Sequence, residues 1–243
     1  MTPARTLATA RRVLLQLRHD PRTLAMLLVV PVVIMGLLAW ILSDADFDFW
    51  APPLLGIFPM LVMFLVTSVA TLRERTGGTL ERLLTLPTGK GDIIFGYAIA
   101  FGTLAIVQAV VVSAAAFGLF GLDVAGSAWL VGLVAVIDAL LGTALGLFVS
   151  AFARTEFQAV QFMPLVLIPQ ILLCGLLVPT DELPTVLRWV SVVLPLTYAI
   201  DATREVLGSV TTTAAFRADV AVLAGFAVGL LGLGAATLRR RTA

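Results

Sequence analysis

Long runs without a charged residue dominate this sequence of 243 residues. Five such runs are Thr23–Leu42, Trp50–Leu72, Ile93–Leu122, Phe157–Thr180 and Val220–Leu238. A sixth run, Val124–Ala153, is interrupted only by Asp138. A helix needs about 20 apolar residues to cross a hydrocarbon core of about 30 Å, and each run is at least about that long. The sequence therefore predicts an all-α integral membrane protein with six transmembrane helices.

The composition leaves little room for anything besides these helices. Hydrophobic residues make up 60% of the chain and charged residues only 13%, about half the charged share of a soluble domain. We therefore predict one transmembrane domain over residues 1–243. The predicted spans cover about 23–42, 51–72, 93–121, 127–152, 158–179 and 218–238. The first run is too long for a signal peptide and lacks a small-residue cleavage site, so we expect no cleavage there.

The basic residues lie mostly on one side of the predicted membrane. Thirteen of the sixteen fall in the N-terminal segment, the links after the second and fourth spans, and the C-terminal tail. They are Arg5, Arg11, Arg12, Arg18, Arg22, Arg73, Arg75, Arg82, Lys90, Arg154, Arg239, Arg240 and Arg241. Because basic loops stay inside, we expect both termini to be cytoplasmic in a multi-pass protein of a bacterial plasma membrane.

Residues 3–19 form an amphipathic stretch before the first span. At helical spacing, Leu7, Ala10, Leu14 and Leu17 share one arc, and Arg5, Thr9, Arg12 and Gln16 lie opposite. Such a helix would lie at the lipid interface, which makes membrane lipid one expected partner. A basic tail that only sets topology is the alternative.

The link after the second span carries an unusual concentration of charge. It reads RERTGGTLERLLTLP from Arg73 to Pro87, which predicts a loop followed by a short helix at 79–86. Gly77-Gly78 should end any preceding helix, and Pro87 should stop the short one. Two helical turns are unstable alone in water, so this helix needs a surface. That surface is either the lipid headgroup layer or another protein.

The fifth link is apolar but broken by Pro184 and Pro195. It predicts two helices near Leu183–Leu194 and Leu196–Leu207, each too short to span the membrane. A re-entrant hairpin at 182–207 on the outer side fits these lengths. Two further spans are the alternative, although their inner turn would lack basic residues.

The charged link resembles the signature of the permease subunits of type-2 ABC exporters, the class that includes drug-resistance (daunorubicin-resistance-like) exporters. The matching residues are Arg73, Glu74, Arg75, Gly78, Thr79, Leu80, Glu81, Leu83, Leu84 and Pro87. Thr76 departs from the pattern, because an acidic residue is more usual there. The outer link also resembles the family's exit-side segment, in Asp181, Pro184, Pro195, Tyr198 and Arg204.

This resemblance implies a specific assembly. Residues 3–19 would be an elbow helix, and 79–86 a coupling helix that docks on a separate ATPase subunit. Glu81 and Arg82 would make charged contacts there, and Leu80, Leu83 and Leu84 would pack. Six spans are half a transporter in this family, so the implied unit is a homodimer of permeases with two ATPase subunits. ATP and Mg²⁺ would bind to those subunits, and this chain would bind no cofactor.

Several polar residues and one proline within the spans are candidates for a transport path. They are Gln108, Asp138, Gln161, Pro164 and Gln170. Asp138 lies deep in the fourth span, where a carboxyl group is costly. For each polar residue, a structural hydrogen bond between helices is the alternative, and prolines are frequent in spans without a functional role.

Catalytic motifs are missing from the sequence. Gly89-Lys90 is followed by Gly91, with Leu84 where a phosphate-binding loop has its first glycine. This chain is therefore expected to be a transport subunit and not an enzyme. One cysteine and one histidine cannot build a His/Cys metal site, and no basic patch indicates nucleic acid. The expected substrate is an amphipathic small molecule or lipid. An ATP-independent channel or secondary carrier, an intramembrane enzyme and a membrane anchor are the alternative functions.

Overall fold

The computed structural model describes residues 2–78 and 90–237. Nine α-helices occur in these two segments, together with one 3₁₀ turn at Thr180–Glu182. The helices are α1 Pro3–Arg18, α2 Pro21–Ile41, α3 Asp44–Thr76, α4 Lys90–Gly118, α5 Ala128–Val149, α6 Glu156–Leu173, α7 Thr185–Val193, α8 Pro195–Gly208 and α9 Ala214–Thr237. No β-strand occurs in the described residues.

Six of these helices are long and apolar enough to cross a membrane, namely α2, α3, α4, α5, α6 and α9. This confirms the predicted all-α class and the predicted number of membrane helices. Helix α5 and the central part of α3 are the most buried, whereas α2, α6 and α9 lie at the periphery. The chain is thus a multi-pass membrane protein built around α3 and α5.

Helix α3 is longer at both ends than the sequence indicated. It begins at Asp44, where Ser43 caps it by accepting a hydrogen bond from the Asp46 N–H at 3.3 Å. It ends at Thr76, so the loop expected from Arg73 onwards was wrong for its first four residues. Arginine and glutamate are good helix formers, and only Gly77 and Gly78, with its φ of +69°, stop the helix.

Helices α3 and α5 run parallel and touch along a seam of small residues. A Cβ atom on Gly146 would lie 2.6 Å from the carbonyl oxygen of Phe64, and one on Gly142 would collide with the backbone of Met60. Such contacts require glycine, because any side chain would push the helices apart. The seam fixes the relative position of the two central helices.

Helix α1 packs against α4 through a face that matches the predicted arc only in Ala10 and Leu17. Its buried residues are Thr6, Thr9, Ala10, Val13 and Leu17, whereas Leu7 is 59% exposed. A Cβ atom on Gly96 would lie 2.5 Å from the Cβ of Thr9, so small side chains are needed at this crossing. Close packing, and not the widest apolar arc, therefore determines which face of α1 is buried.

Helices α7 and α8 meet at 89° at Leu194. The hydroxyl groups of Thr197 and Tyr198 close the corner by donating to the carbonyl oxygens of Ser191 and Val192, at 2.8 and 2.7 Å. Helix α8 is largely buried, whereas α7 is exposed at every residue except Ser191. The hairpin therefore packs on the bundle mainly through α8, and α7 adds a contact with α6.

Candidate functional site

The last turn of α3 connects three other helices at one end of the bundle. We call this the basic end, because the described part of it carries Arg12, Arg73, Arg75 and Arg154. The consecutive residues Arg73, Glu74 and Arg75 have three different environments. Only residues 76–78 separate them from segment 79–89, which lies outside the described residues.

Arg73 joins α3 to the first residue of α6. Its Nε and Nη2 atoms donate to Oε1 and Oε2 of Glu156, at 2.7 and 2.9 Å. Two parallel hydrogen bonds of this kind fix the orientation of both side chains. Both side chains are about half exposed, 57% and 52%, so the pair adds little to stability. Its main effect is to set the position of α6 relative to α3.

Glu74 joins α3 to α1 and α4. Its Oε2 atom accepts a hydrogen bond from Nη2 of Arg12 at 3.0 Å, and the same nitrogen donates to the hydroxyl of Tyr97 at 3.1 Å. The Arg12 guanidinium also lies 6.0 Å from the centre of the Tyr97 ring, which is within the range of a cation–π contact. One arginine of α1 thus holds the end of α3 and the first turns of α4 together.

A second set of contacts fixes α1 on the same part of α4. Oδ1 of Asp92 accepts hydrogen bonds from the Thr2 N–H and the Thr6 hydroxyl, at 2.9 and 3.3 Å. Segment 79–89 therefore begins and ends at helices that α1 bridges, through Glu74 on one side and Asp92 on the other.

Arg75 differs from its two neighbours. Its Nε and Nη2 atoms are buried, and neither has a hydrogen-bond partner in the part of the chain that the structure describes. The predicted coupling residues after it, Thr79, Leu80, Glu81, Arg82, Leu83, Leu84 and Pro87, lie outside the described residues, as does the coupling helix 79–86. Gly78 is described and forms the turn that leads into them.

Asp138 lies in the α3–α5 seam. It is 1% exposed, and its Oδ1 atom has no hydrogen-bond partner among the described residues. A Cβ atom on Gly56 would collide with its carboxyl group. Only a glycine at position 56 leaves room for this carboxyl group between the helices.

The other candidates for a transport path fall into two groups. Gln108 and Gln170 are buried, and neither amide atom of Gln108 is hydrogen-bonded to a described residue. Gln170 donates to the carbonyl oxygen of Val166 at 3.2 Å. Gln161 and Pro164 are instead exposed on α6. The three buried residues and the two exposed ones therefore do not share one surface of the chain.

The predicted hairpin residues make local contacts at the opposite end of the bundle. Nη2 of Arg204 donates to the carbonyl oxygen of Leu176 at 3.3 Å, which ties α8 to the chain after α6. The carbonyl oxygen of Asp181 accepts from the Arg188 guanidinium. Pro184 precedes α7, and Pro195 is the buried first residue of α8. Tyr198 closes the corner between the two helices, as described above.

The carboxyl group of Asp201 on α8 is less acidic than that of an ordinary aspartate. Burial raises the pKa of Asp201 to about 6, the nearby Asp219 carboxylate adds to the increase, and Arg204 partly offsets it. At the basic end, hydrogen bonds from the hydroxyl and N–H of Thr23 lower the pKa of Asp20. No three His, Cys, Asp or Glu side chains in the described segments form a group that would hold a metal ion.

The sequence analysis missed several residues that the structure brings together. Glu156 follows Arg154 at the start of a span. A single carboxylate among basic residues indicates an ion pair, but the sequence analysis did not predict one for Glu156. Arg12 was assigned to the solvent side of α1. Tyr97 and Gly56 carry no signal in the sequence, because their roles depend on which helices are neighbours.

Comparison with known proteins identifies the family. Residues 5–207 match the model of the family described as "ABC-2 type transporter". ABC transporter G family member 20 of Dictyostelium discoideum is 32% identical over 160 residues, which are 66% of this chain and 22% of that protein. The Escherichia coli protein named "Probable multidrug ABC transporter permease YbhR" is 29% identical over 168 residues, 69% of this chain and 46% of its own length.

A third relative is the Escherichia coli inner membrane transport permease YhhJ. It is 25% identical over 148 residues, which cover 60% of this chain and 40% of the relative. The chain thus matches less than half the length of each of these three proteins.

Proposed function

The chain belongs to the ABC-2 type transporter family and is a membrane subunit of an ABC transporter, and from this we propose that it is the permease of an ATP-driven exporter. The transported molecule is an amphipathic small molecule or a lipid. The observation that carries the proposal is the pair of connections at the basic end. The ion pairs Arg73–Glu156 and Glu74–Arg12 connect the end of α3, which leads into segment 79–89, to α6 and α1. A segment that transmits movement to the membrane helices needs such connections.

ATP is hydrolysed on a separate subunit in this proposal. The sequence has no phosphate-binding loop, so ATP and Mg²⁺ bind to the partner ATPase and not to this chain. Segment 79–86 docks on that ATPase from the cytoplasmic side. The excess of basic residues at this end supports the orientation, with both termini in the cytoplasm.

A second copy of the chain completes the transport path. Helix α6 exposes Gln161 along with Pro164 and Pro169, and an amide side chain is costly in hydrocarbon. A protein or aqueous surface suits these residues better than lipid does. The proposed unit is therefore a homodimer of permeases, with α6 of each copy facing the path, and two ATPase subunits. Leu165 and the other apolar exposed residues of α6 suit an amphipathic substrate.

The hairpin α7–α8 closes the outer side in this proposal. It dips into the outer leaflet without crossing it, because its two helices have only 9 and 14 residues. The exposed apolar face of α7, with Trp189 71% exposed, lies against lipid or the second copy.

Transport follows from a difference in binding between two states. ATP binding closes the ATPase dimer and moves segment 79–86. The ion pairs at the basic end pass this movement to α6 and α1, and the path then opens to the other side. Nucleotide drives the change because it binds one state more tightly than the other.

Co-purification with an ATPase tests the proposal. The chain is expressed with the ATPase encoded beside it, purified through a tag on this chain alone, and assayed for ATP turnover. We expect an active ATPase in about a one-to-one ratio. Glu81→Arg should abolish stimulated ATP hydrolysis and export while the protein stays folded. A chain that transports in vesicles without any ATPase would instead be a channel or secondary carrier, and the proposal would be wrong.

A further inference from the structure

The guanidinium group of Arg75 is a charged group with an unused binding edge. Nε and Nη2 are buried and have no hydrogen-bond partner within residues 2–78 and 90–237, and these two nitrogens point their N–H bonds along the same edge of the planar group. That edge matches the two oxygens of a carboxylate. Arg73, two residues earlier, uses the same two nitrogens to bind both oxygens of Glu156.

The carboxylates described at the basic end already have donors. Glu74 accepts from Arg12 and Glu156 from Arg73. Asp20 accepts from Thr23, and Asp92 accepts from Thr2 and Thr6. Each of these acids is already held by another donor, and none of them accepts a hydrogen bond from Nε or Nη2 of Arg75. The missing acid therefore comes from outside the described residues.

An unpaired buried charge is costly and is normally matched by an acid. In this chain the cost of removing water from the Arg75 edge is already met before any acid arrives. Pairing then requires only the dehydration of the incoming carboxylate, so more of the Coulomb attraction remains as binding free energy. Arg75 as a whole is half-buried, so a partner that docks against this end of the bundle can reach the edge with a small movement of its flexible stem.

We propose that the Nε–Nη2 edge of Arg75 is the receptor for a carboxylate of the ATPase subunit. The receptor lies three residues before the described chain stops at Gly78, next to the segment that docks on the ATPase. It rests on the proposed function, because it requires that subunit. The basic end favours an acidic partner, since its described acids are all engaged while Arg75 is not.

The test measures the affinity of the purified ATPase for the permease in nanodiscs. Arg75→Gln should weaken binding by about 30-fold or more, as expected for a lost interfacial charge pair. Arg75→Lys keeps the charge but loses the two parallel N–H donors of the guanidinium edge, so it should give an intermediate affinity. Arg11→Gln removes an exposed arginine of α1 and is the matched control, with wild-type affinity expected.

Thermal unfolding of the isolated permease separates this proposal from a pair within the chain. Because Nε and Nη2 of Arg75 have no hydrogen-bond partner among the described residues, Arg75→Gln should leave the unfolding temperature unchanged or raise it. The competing acid is Glu81, the only acidic residue in segment 79–89. If Arg75→Gln lowers the unfolding temperature and Glu81→Gln adds no further loss, the two residues pair with each other and the proposal is wrong.

Two further results bear on the ligand. Arg75→Glu should regain binding when combined with one Asp→Arg or Glu→Arg substitution on the ATPase, which would identify the acid. If the defect of Arg75→Gln occurs with anionic lipid and is absent in neutral phosphatidylcholine nanodiscs, the ligand is a lipid phosphate, which overturns the proposal. A wild-type chain that binds no ATPase would refute the proposed function itself, whereas equal binding of wild type and Arg75→Gln would refute only the receptor.

Discussion

Arg73 and Glu156 form a bidentate ion pair, with nitrogen–oxygen distances of 2.7 and 2.9 Å, between the last turn of α3 and the first residue of α6. The two residues are 83 positions apart in the sequence. One is followed by the predicted coupling segment, and the other begins the helix that exposes Gln158 and Gln161. A movement of the segment therefore has a direct connection to α6.

Breaking this pair should uncouple the protein without unfolding it. Arg73→Gln or Glu156→Gln should cost at most about 1 kcal/mol of stability, because exposed ion pairs contribute little. Substrate-stimulated ATP hydrolysis in the reconstituted transporter should fall, while basal hydrolysis remains. The double variant should be no worse than either single variant, since both remove one interaction. Additive losses would show that the two residues act separately.

The seam between α3 and α5 should not tolerate a methyl group. Gly146→Ala places a Cβ atom 2.6 Å from the Phe64 carbonyl oxygen, so the helices must separate, at a cost of about 1–3 kcal/mol. The thermal unfolding temperature in detergent should fall. Gly229→Ala in α9 is the control, because a Cβ there meets no atom within 4 Å and alanine favours helix. A similar loss in both variants would contradict close contact at the seam.

The sequence predicted much of the fold because membrane helices leave a local signal. Each span is a run of apolar residues whose length is set by the bilayer, and such runs are visible without knowing any neighbour. The corner at Pro195 was visible for the same reason, since proline interrupts helices locally. The extension of α3 through Arg73–Thr76 differs from the predicted loop, because arginine and glutamate form helix readily despite their charge.

The contacts of the candidate site were beyond the sequence because they depend on helix neighbours. The pairing of Arg12 with Glu74 requires that α1 lie beside both α3 and α4, and the crossing at Gly96 decides this. Gly56 is one of 20 glycines, and only its position opposite Asp138 distinguishes it. The sequence alone shows that Asp138 is an acidic residue within the fourth span. Its burial in the α3–α5 seam depends on which helices are neighbours.

Asp138→Asn should leave both folding and export nearly unchanged. The substitution keeps the shape that fits against Gly56, and no described residue hydrogen-bonds Oδ1 of Asp138. We expect export within about twofold of wild type, because equal shape preserves packing. Asp138→Leu is the contrasting variant, since its branched side chain should collide with Gly56 and lower the unfolding temperature. Loss of export by a stable Asp138→Asn protein would place the carboxyl group in the mechanism.

Asp201 should make the stability of the outer hairpin depend on pH. Its pKa in the folded chain is about 6, against an ordinary aspartate pKa of 3.8, so between these values the folded state binds more protons than the unfolded state. The contribution of Asp201 to the free energy of unfolding is then fully present below about pH 4 and is lost as pH rises through about 6. The difference in unfolding temperature between wild type and Asp201→Asn should therefore change between pH 4 and 7, with the variant gaining relative stability as pH rises. Asp44→Asn, at an exposed position on α3, is the control and should run parallel to wild type. A constant difference for Asp201→Asn would mean that its carboxyl group is not buried by the hairpin.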